Sequence, residues 1–163
     1  MIHVLFLCMH NSARSLMAEA MLNHLGKGRF RAFSAGSETA PDEQPHPLAL
    51  KALSRVGFDV EGLRCKHWDE FATPEAPRMD LVITLCDDTA EVICPVWPGH
   101  PPSAHWGYPD PVLAQGDDAH QEAVFHNCML ALHHRLELLL SLPADKLEPA
   151  MLGSSAQALG QRA

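Results

Sequence analysis

The segment Cys8-Met9-His10-Asn11-Ser12-Ala13-Arg14-Ser15 sets a cysteine, five intervening residues, an arginine and a serine in one short stretch. A thiol and a guanidinium at this spacing suit attack on a tetrahedral oxyanion, because arginine offers planar paired donors that match two of its oxygens. Ser12 and Ala13 are small enough for the backbone to curl round such an anion, and Asn11 tolerates a left-handed turn position. Where such a loop runs into a helix, free backbone N–H groups and the positive end of the dipole converge on one spot. Residues Met9, His10, Asn11, Ser12, Ala13, Arg14 and Ser15 are therefore the expected oxyanion cradle. The same field is expected to lower the Cys8 pKa, with Ser15 donating a further hydrogen bond to the thiolate. A buried cysteine that merely ends a strand would explain a bare C-x5-R, but not this whole setting.

The elements on either side fit that role. Ile2–Cys8 is a continuous apolar run, as expected of a buried parallel strand. Met17, Met21 and Leu25 follow at helical spacing, and Gly26 closes the pattern. Residues 30–34 read as a second strand, running into Ala35-Gly36, and a Pro-rich loop passes Pro41, Pro45 and Pro47. An amphipathic helix from Leu48 to Val56 stops at Gly57, and residues 80–85 form a third core strand. One short strand is expected near His105-Trp106. A long helix follows over 121–142, with Phe125, Cys128, Leu132, Leu136 and Leu139 on one face, until Pro143 ends it. Strands alternating with helices predict an α/β fold, a four-stranded parallel sheet flanked by helices, with ligands at the C-terminal strand ends. Residues 1–143 are expected to form one domain, and 144–163, rich in Ala, Gly, Ser and Gln, a flexible tail.

Composition narrows the partners. The 163 residues carry 20 acidic and 12 basic side chains, a formal charge of −8, which argues against nucleic acid or an anionic membrane surface. No apolar stretch approaches the roughly 20 residues that span a bilayer, and the expected location is the cytoplasm. Five cysteines (Cys8, Cys65, Cys86, Cys94, Cys128) are an odd number, which in a reducing compartment points to catalytic or redox use rather than a disulfide framework. Cys65 lies in no motif, and Cys128 reads as a core residue. The 11 histidines show no chelating spacing, since the adjacent His133 and His134 point about 100° apart on a helix.

The stretch VLFLCMHNSARSLMAEA resembles the opening of the low-molecular-weight protein tyrosine phosphatase fold, and in particular its arsenate reductase branch. The similarity continues through Phe33-Ser34-Ala35-Gly36, residues 80–86, Cys94-Pro95, His105-Trp106-Gly107 and Asp110-Pro111, and so covers about residues 1–142. The resemblance implies Cys8 as nucleophile, Arg14 and the loop backbone as oxyanion binders, Ser15 as tuner of the thiolate, and Asp110 as general acid. Read alone, Asp110-Pro111 is a common turn element. Some members of this group hold potassium near the loop, and the matching positions here are Asn11, Glu19, Ser34 and Asp69. No tightly bound cofactor is expected beyond that ion.

A thiolate and an acid suffice to hydrolyse phosphate monoesters. Reducing arsenic(V) takes two electrons, so two thiols must end as a disulfide. Cys86 ends the third core strand, and Cys94 follows after seven residues in a Pro-flanked segment. The resemblance to thioredoxin-coupled arsenate reductases implies a relay from Cys8 to Cys86 to Cys94, reset by an external thiol reductant. The spacing here is one residue longer than in that pattern, which leaves thioredoxin and glutathione with glutaredoxin both open. Residues 87–92 favour a short helix that a Cys86–Cys94 disulfide would have to unwind. Arsenate is the expected substrate, with phosphate and sulfate as analogues; a phosphatase or a non-catalytic oxyanion or redox sensor are the competing readings.

Overall fold

The computed structural model describes residues 1–86 and 97–161. The helix expected over 87–92, and Cys94, lie outside the described residues. Four strands, β1 (Ile2–Cys8), β2 (Phe30–Gly36), β3 (Leu81–Cys86) and β4 (Ser103–Tyr108), form one sheet in the order β2-β1-β3-β4. Every pairing is parallel. Both faces of β1 must therefore be covered, which is why its sequence is apolar without alternation. Val4 and Phe6 share a core with Leu81 and Ile83 and with the helices; Leu5 and Leu7 pack on the other face with Val82, Trp68, Phe71 and Trp97.

The helices are α1 (Arg14–Leu25), α2 (Pro47–Arg55), α3 (Asp118–Leu140) and α4 (Pro149–Gly160). Asp117 caps α3 by accepting from the His120 amide at 2.8 Å. Its buried stripe is Phe125, Met129, Leu132, Leu136 and Leu139. Met129, rather than the expected Cys128, is the wholly buried member; Cys128 sits half-buried at the edge of the stripe.

Residues Pro149–Gly160 of the expected flexible tail form α4, docked on the sheet's edge. Leu152, Ala156 and Leu159 recur at helical spacing and are buried. An edge strand leaves main-chain groups without partners. Here the His105 amide donates to Gln157 Oε1 at 2.8 Å, and Trp106 Nε1 donates to the Ala156 carbonyl at 2.8 Å. No helix among the described residues is long and apolar enough to cross a membrane.

Candidate active site

The loop between β1 and α1 is held from outside by its carbonyls. The Ser37 amide donates to the Cys8 carbonyl (3.1 Å), the Glu38 amide to Met9 (2.8 Å) and the His46 amide to Ser12 (2.9 Å). Thr39 Oγ1 donates to the His10 carbonyl at 2.8 Å. Donors from residues 37–46 thus satisfy the loop's acceptors on its outer side and leave its N–H groups for the inside. Asn11 takes the left-handed conformation expected of it, with φ of 59°. Gly36, paired with Cys8 across the sheet, leaves room for the loop: a Cβ there would meet the Met9 carbonyl at 2.6 Å and the Asn11 amide at 2.9 Å. Ala13, the N-cap of α1, offers no side-chain acceptor, so the first amides of the helix stay free for an anion.

Inside the loop, Cys8 is 2 % exposed and its Sγ lies 2.8 Å from Ser15 Oγ. Asn11 Nδ2 donates to that same Oγ at 2.7 Å, while Asn11 Oδ1 accepts from the Lys66 amide at 2.9 Å. The Lys66 amide can only donate, which fixes the carboxamide so that its NH2 faces Ser15, and the Ser15 proton is left to point at sulfur. Arg14, 5 % exposed, donates from Nη1 to the Tyr108 carbonyl at 2.9 Å, and its Nη2 is 3.5 Å from Asp110 Oδ2. Asp110 Oδ1 also accepts from the Val112 amide at 3.0 Å, which holds the carboxylate over the loop. A small pocket over the loop is lined by Cys8, His10, Asn11, Ser12, Ala13, Arg14 and Asp110.

The groups expected to lower the Cys8 pKa are in place, and burial opposes them. Burial pushes the thiol up from its ordinary value. The Ser15 side chain, the Arg14 charge and the amides of Ser15 and Asn11 pull the other way without overcoming it. Burial disfavours the charged thiolate, whereas a nearby cation and hydrogen-bond donors favour it. Cys65 and Cys128 are both pushed up to about 11, chiefly by burial, so neither is a ready nucleophile at neutral pH. Burial also lowers the pKa of His46, against the pull of Asp110; its ring stacks on Phe125 at 4.6 Å beside the loop.

Of the four residues matched to a potassium site, Glu19 and Ser34 bond to each other, whereas Asp69 is turned to solvent. Asp69 is 76 % exposed and lies 3.3 Å from His67 Nδ1. Glu19, 14 % exposed, accepts from Ser34 Oγ at 2.9 Å and lies 3.5 Å from the Lys66 ammonium. No group of three or more metal-ligating His, Cys, Asp or Glu side chains occurs among the described residues. Sequence reasoning missed Lys66 and the Tyr108 carbonyl. Neither carries a local signal, because both meet the loop only through strand pairing.

The low molecular weight phosphotyrosine protein phosphatase family matches residues 3–149. The chain belongs to this family. Among its relatives, an arsenate reductase of Bacillus subtilis is 35 % identical over 134 residues, 82 % of this chain and 91 % of that protein. An arsenate reductase of Halalkalibacterium halodurans is 36 % identical over 122 residues, 75 % and 83 % of the two chains. A solved arsenate reductase in the oxidized state superposes with a TM-score of 0.69 at 28 % identity, covering 86 % of this chain and 98 % of that one. A thioredoxin-dependent arsenate reductase of Corynebacterium glutamicum gives 0.53 at 26 % identity, over 84 % of this chain and 62 % of its own length. The sheet order, the loop after β1 and the Asp-Pro turn thus sit in a member of this phosphatase family.

Proposed function

We propose that this protein reduces arsenate to arsenite, with Cys8 as the nucleophile. The observation that carries the reading is a cysteine and an arginine in one buried loop with a second cysteine closing the neighbouring strand. Leu7 of β1 pairs with Thr84 of β3, so Cys86 lies one step beyond the partner position of Cys8. A strand spacing of about 4.8 Å and a rise of about 3.3 Å put the two Cα atoms roughly 6 Å apart. A disulfide accepts about 4.4–6.8 Å. The relatives named arsenate reductases support the same choice.

In this mechanism arsenate sits on the loop amides and the Arg14 guanidinium. The Cys8 proton passes to an oxygen of the arsenate, Ser15 donates a hydrogen bond to the sulfur left behind, and the thiolate sulfur bonds to arsenic. One arsenic–oxygen bond breaks, Asp110 protonates the departing oxygen, and water leaves. The Cys86 thiolate then attacks Cys8 Sγ; the sulfur–arsenic electron pair goes to arsenic, which departs as arsenite. Two electrons have moved and a Cys8–Cys86 disulfide remains. Cys94 attacks Cys86 and frees Cys8, and an external dithiol reduces the Cys86–Cys94 bond. No step calls on potassium. We take thioredoxin as the reductant, on the likeness to the thioredoxin-dependent structure, and the cytoplasm as the compartment, where these thiols stay reduced.

A second activity follows from the same atoms: slow hydrolysis of aryl phosphates, with Asp110 beside Arg14 as the acid. The exposed Val112 and Leu113 next to it offer no aromatic wall to a phenyl ring. The test is arsenite production by purified protein, with thioredoxin and its reductase against glutaredoxin plus glutathione. Arsenite with thioredoxin alone is expected; turnover with glutathione alone would reassign the reductant, and no arsenite with either would leave the phosphatase and the non-catalytic sensor.

A further inference from the structure

The buried ammonium of Lys66 pairs with Glu19, one of the residues that the family resemblance matches to a potassium site. Lys66 is 7 % exposed, and each of its polar groups has a partner behind the loop. Its amide donates to Asn11 Oδ1, and its carbonyl accepts from the Gly36 amide at 2.8 Å. Its Nζ donates to the Arg64 carbonyl at 2.6 Å and lies 3.5 Å from Glu19 Oε1. Glu19 is on α1, one turn past Ser15, and the Ser34 hydroxyl is its other partner. The carboxylate that a cation would need is thus already neutralised by the chain itself. A buried carboxylate left unpaired is strongly unfavourable, so the charge on Lys66 is needed even though its amide alone contacts Asn11.

We propose that Lys66 is a positioning residue for Cys8. Its ammonium serves in place of a bound monovalent cation, clamping Glu19 on α1 to the segment that orients Asn11, Ser15 and the thiol. The clamp ties residues 64–66, the end of β2 and the first turns of α1 into one frame around the sulfur. Arg64 and Glu70 neighbour it but are exposed and bind each other, at 2.7 and 3.0 Å. The proposal rests on Cys8 as the nucleophile of the loop. It does not rest on which oxyanion is turned over.

Two readouts test it without arsenate chemistry. One is phosphate affinity by calorimetry; the other is the alkylation rate of Cys8 by iodoacetamide at pH 7, followed at its peptide by mass spectrometry. For the unaltered protein both should be the same in potassium, sodium and tetramethylammonium chloride at equal ionic strength. A gain specific to potassium would overturn the proposal, and this arm needs no variant. Lys66→Ala should weaken both readouts about tenfold or more, the scale of a misplaced reacting group. Ammonium or potassium should restore them through the vacated space, and tetramethylammonium should not. Lys66→Met, which fills that space with an uncharged side chain, should show no recovery. Unchanged readouts in a folded Lys66→Ala, or a loss that no small cation repairs, would overturn the positioning role. Either failure leaves the proposed reaction standing.

Discussion

Replacing Arg14 by lysine keeps the charge and removes the geometry, which makes it the sharpest test of the loop as an oxyanion cradle. In the structure one N–H of the guanidinium is committed to the Tyr108 carbonyl at 2.9 Å, and Nη2 leans on Asp110 at 3.5 Å. Those anchors fix its plane and leave its other donors for two oxygens of the ligand. A lysine ammonium is one point: reaching the anion means leaving the Tyr108 carbonyl, and holding the carbonyl means missing the anion. Losing one charge-assisted hydrogen bond costs about 1.5–3 kcal/mol. At about 1.4 kcal/mol per tenfold, Arg14→Lys should weaken binding by roughly 10–150-fold. Titration calorimetry with phosphate, sulfate and arsenate measures this directly, with a thermal melt to confirm the fold. Affinities within about twofold of the unaltered protein would refute the reasoning and make Arg14 a structural anchor for β4.

The remaining variants separate the roles around the sulfur. Ser15→Ala removes the largest influence that pulls the Cys8 thiol down against burial, so the pKa should rise further and the rising limb of the pH–rate profile should move to higher pH. An unmoved limb would take Ser15 out of thiol activation. Asp110→Asn should slow aryl phosphate hydrolysis by roughly 10²–10⁴-fold, most for poor leaving groups; equal rates with a poor leaving group would remove Asp110 from proton transfer. Cys65→Ser with Cys128→Ser should leave turnover intact, since both thiols are pushed up to about 11, at a stability cost of about 1 kcal/mol. A folded double variant that no longer cycles would show that the wrong thiols had been assigned.

What the sequence made legible was local. The apolar run of β1 and the Cys8–Ser15 spacing announce strand, loop and helix because each follows from neighbouring residues, and the structure places them so. The missing part was carried by contacts distant in the chain. Lys66 reaches Glu19 across 47 positions, and the bridge between Gly36 and His67 helps bring its segment beside the loop. In the matched cation set, Asp69 agrees by position, but its carboxylate turns to solvent and His67. Helix α4 was hidden by a composition of small residues, although Leu152, Ala156 and Leu159 already carry the helical period. Dipoles can be read from a loop sequence, whereas the depth of burial that opposes them at Cys8 cannot.

The central claim is that one chain supplies both electrons from its own thiols, starting at Cys8. Fully reduced protein, freed of external thiol and kept without oxygen, should be mixed with excess arsenate and assayed for arsenite and disulfides. The account predicts one arsenite per chain, a disulfide joining the peptides of Cys86 and Cys94, Cys8 again alkylatable, and no arsenite from Cys8→Ser. Arsenite from folded Cys8→Ser, or none from the unaltered protein with its loop still binding arsenate, would contradict it.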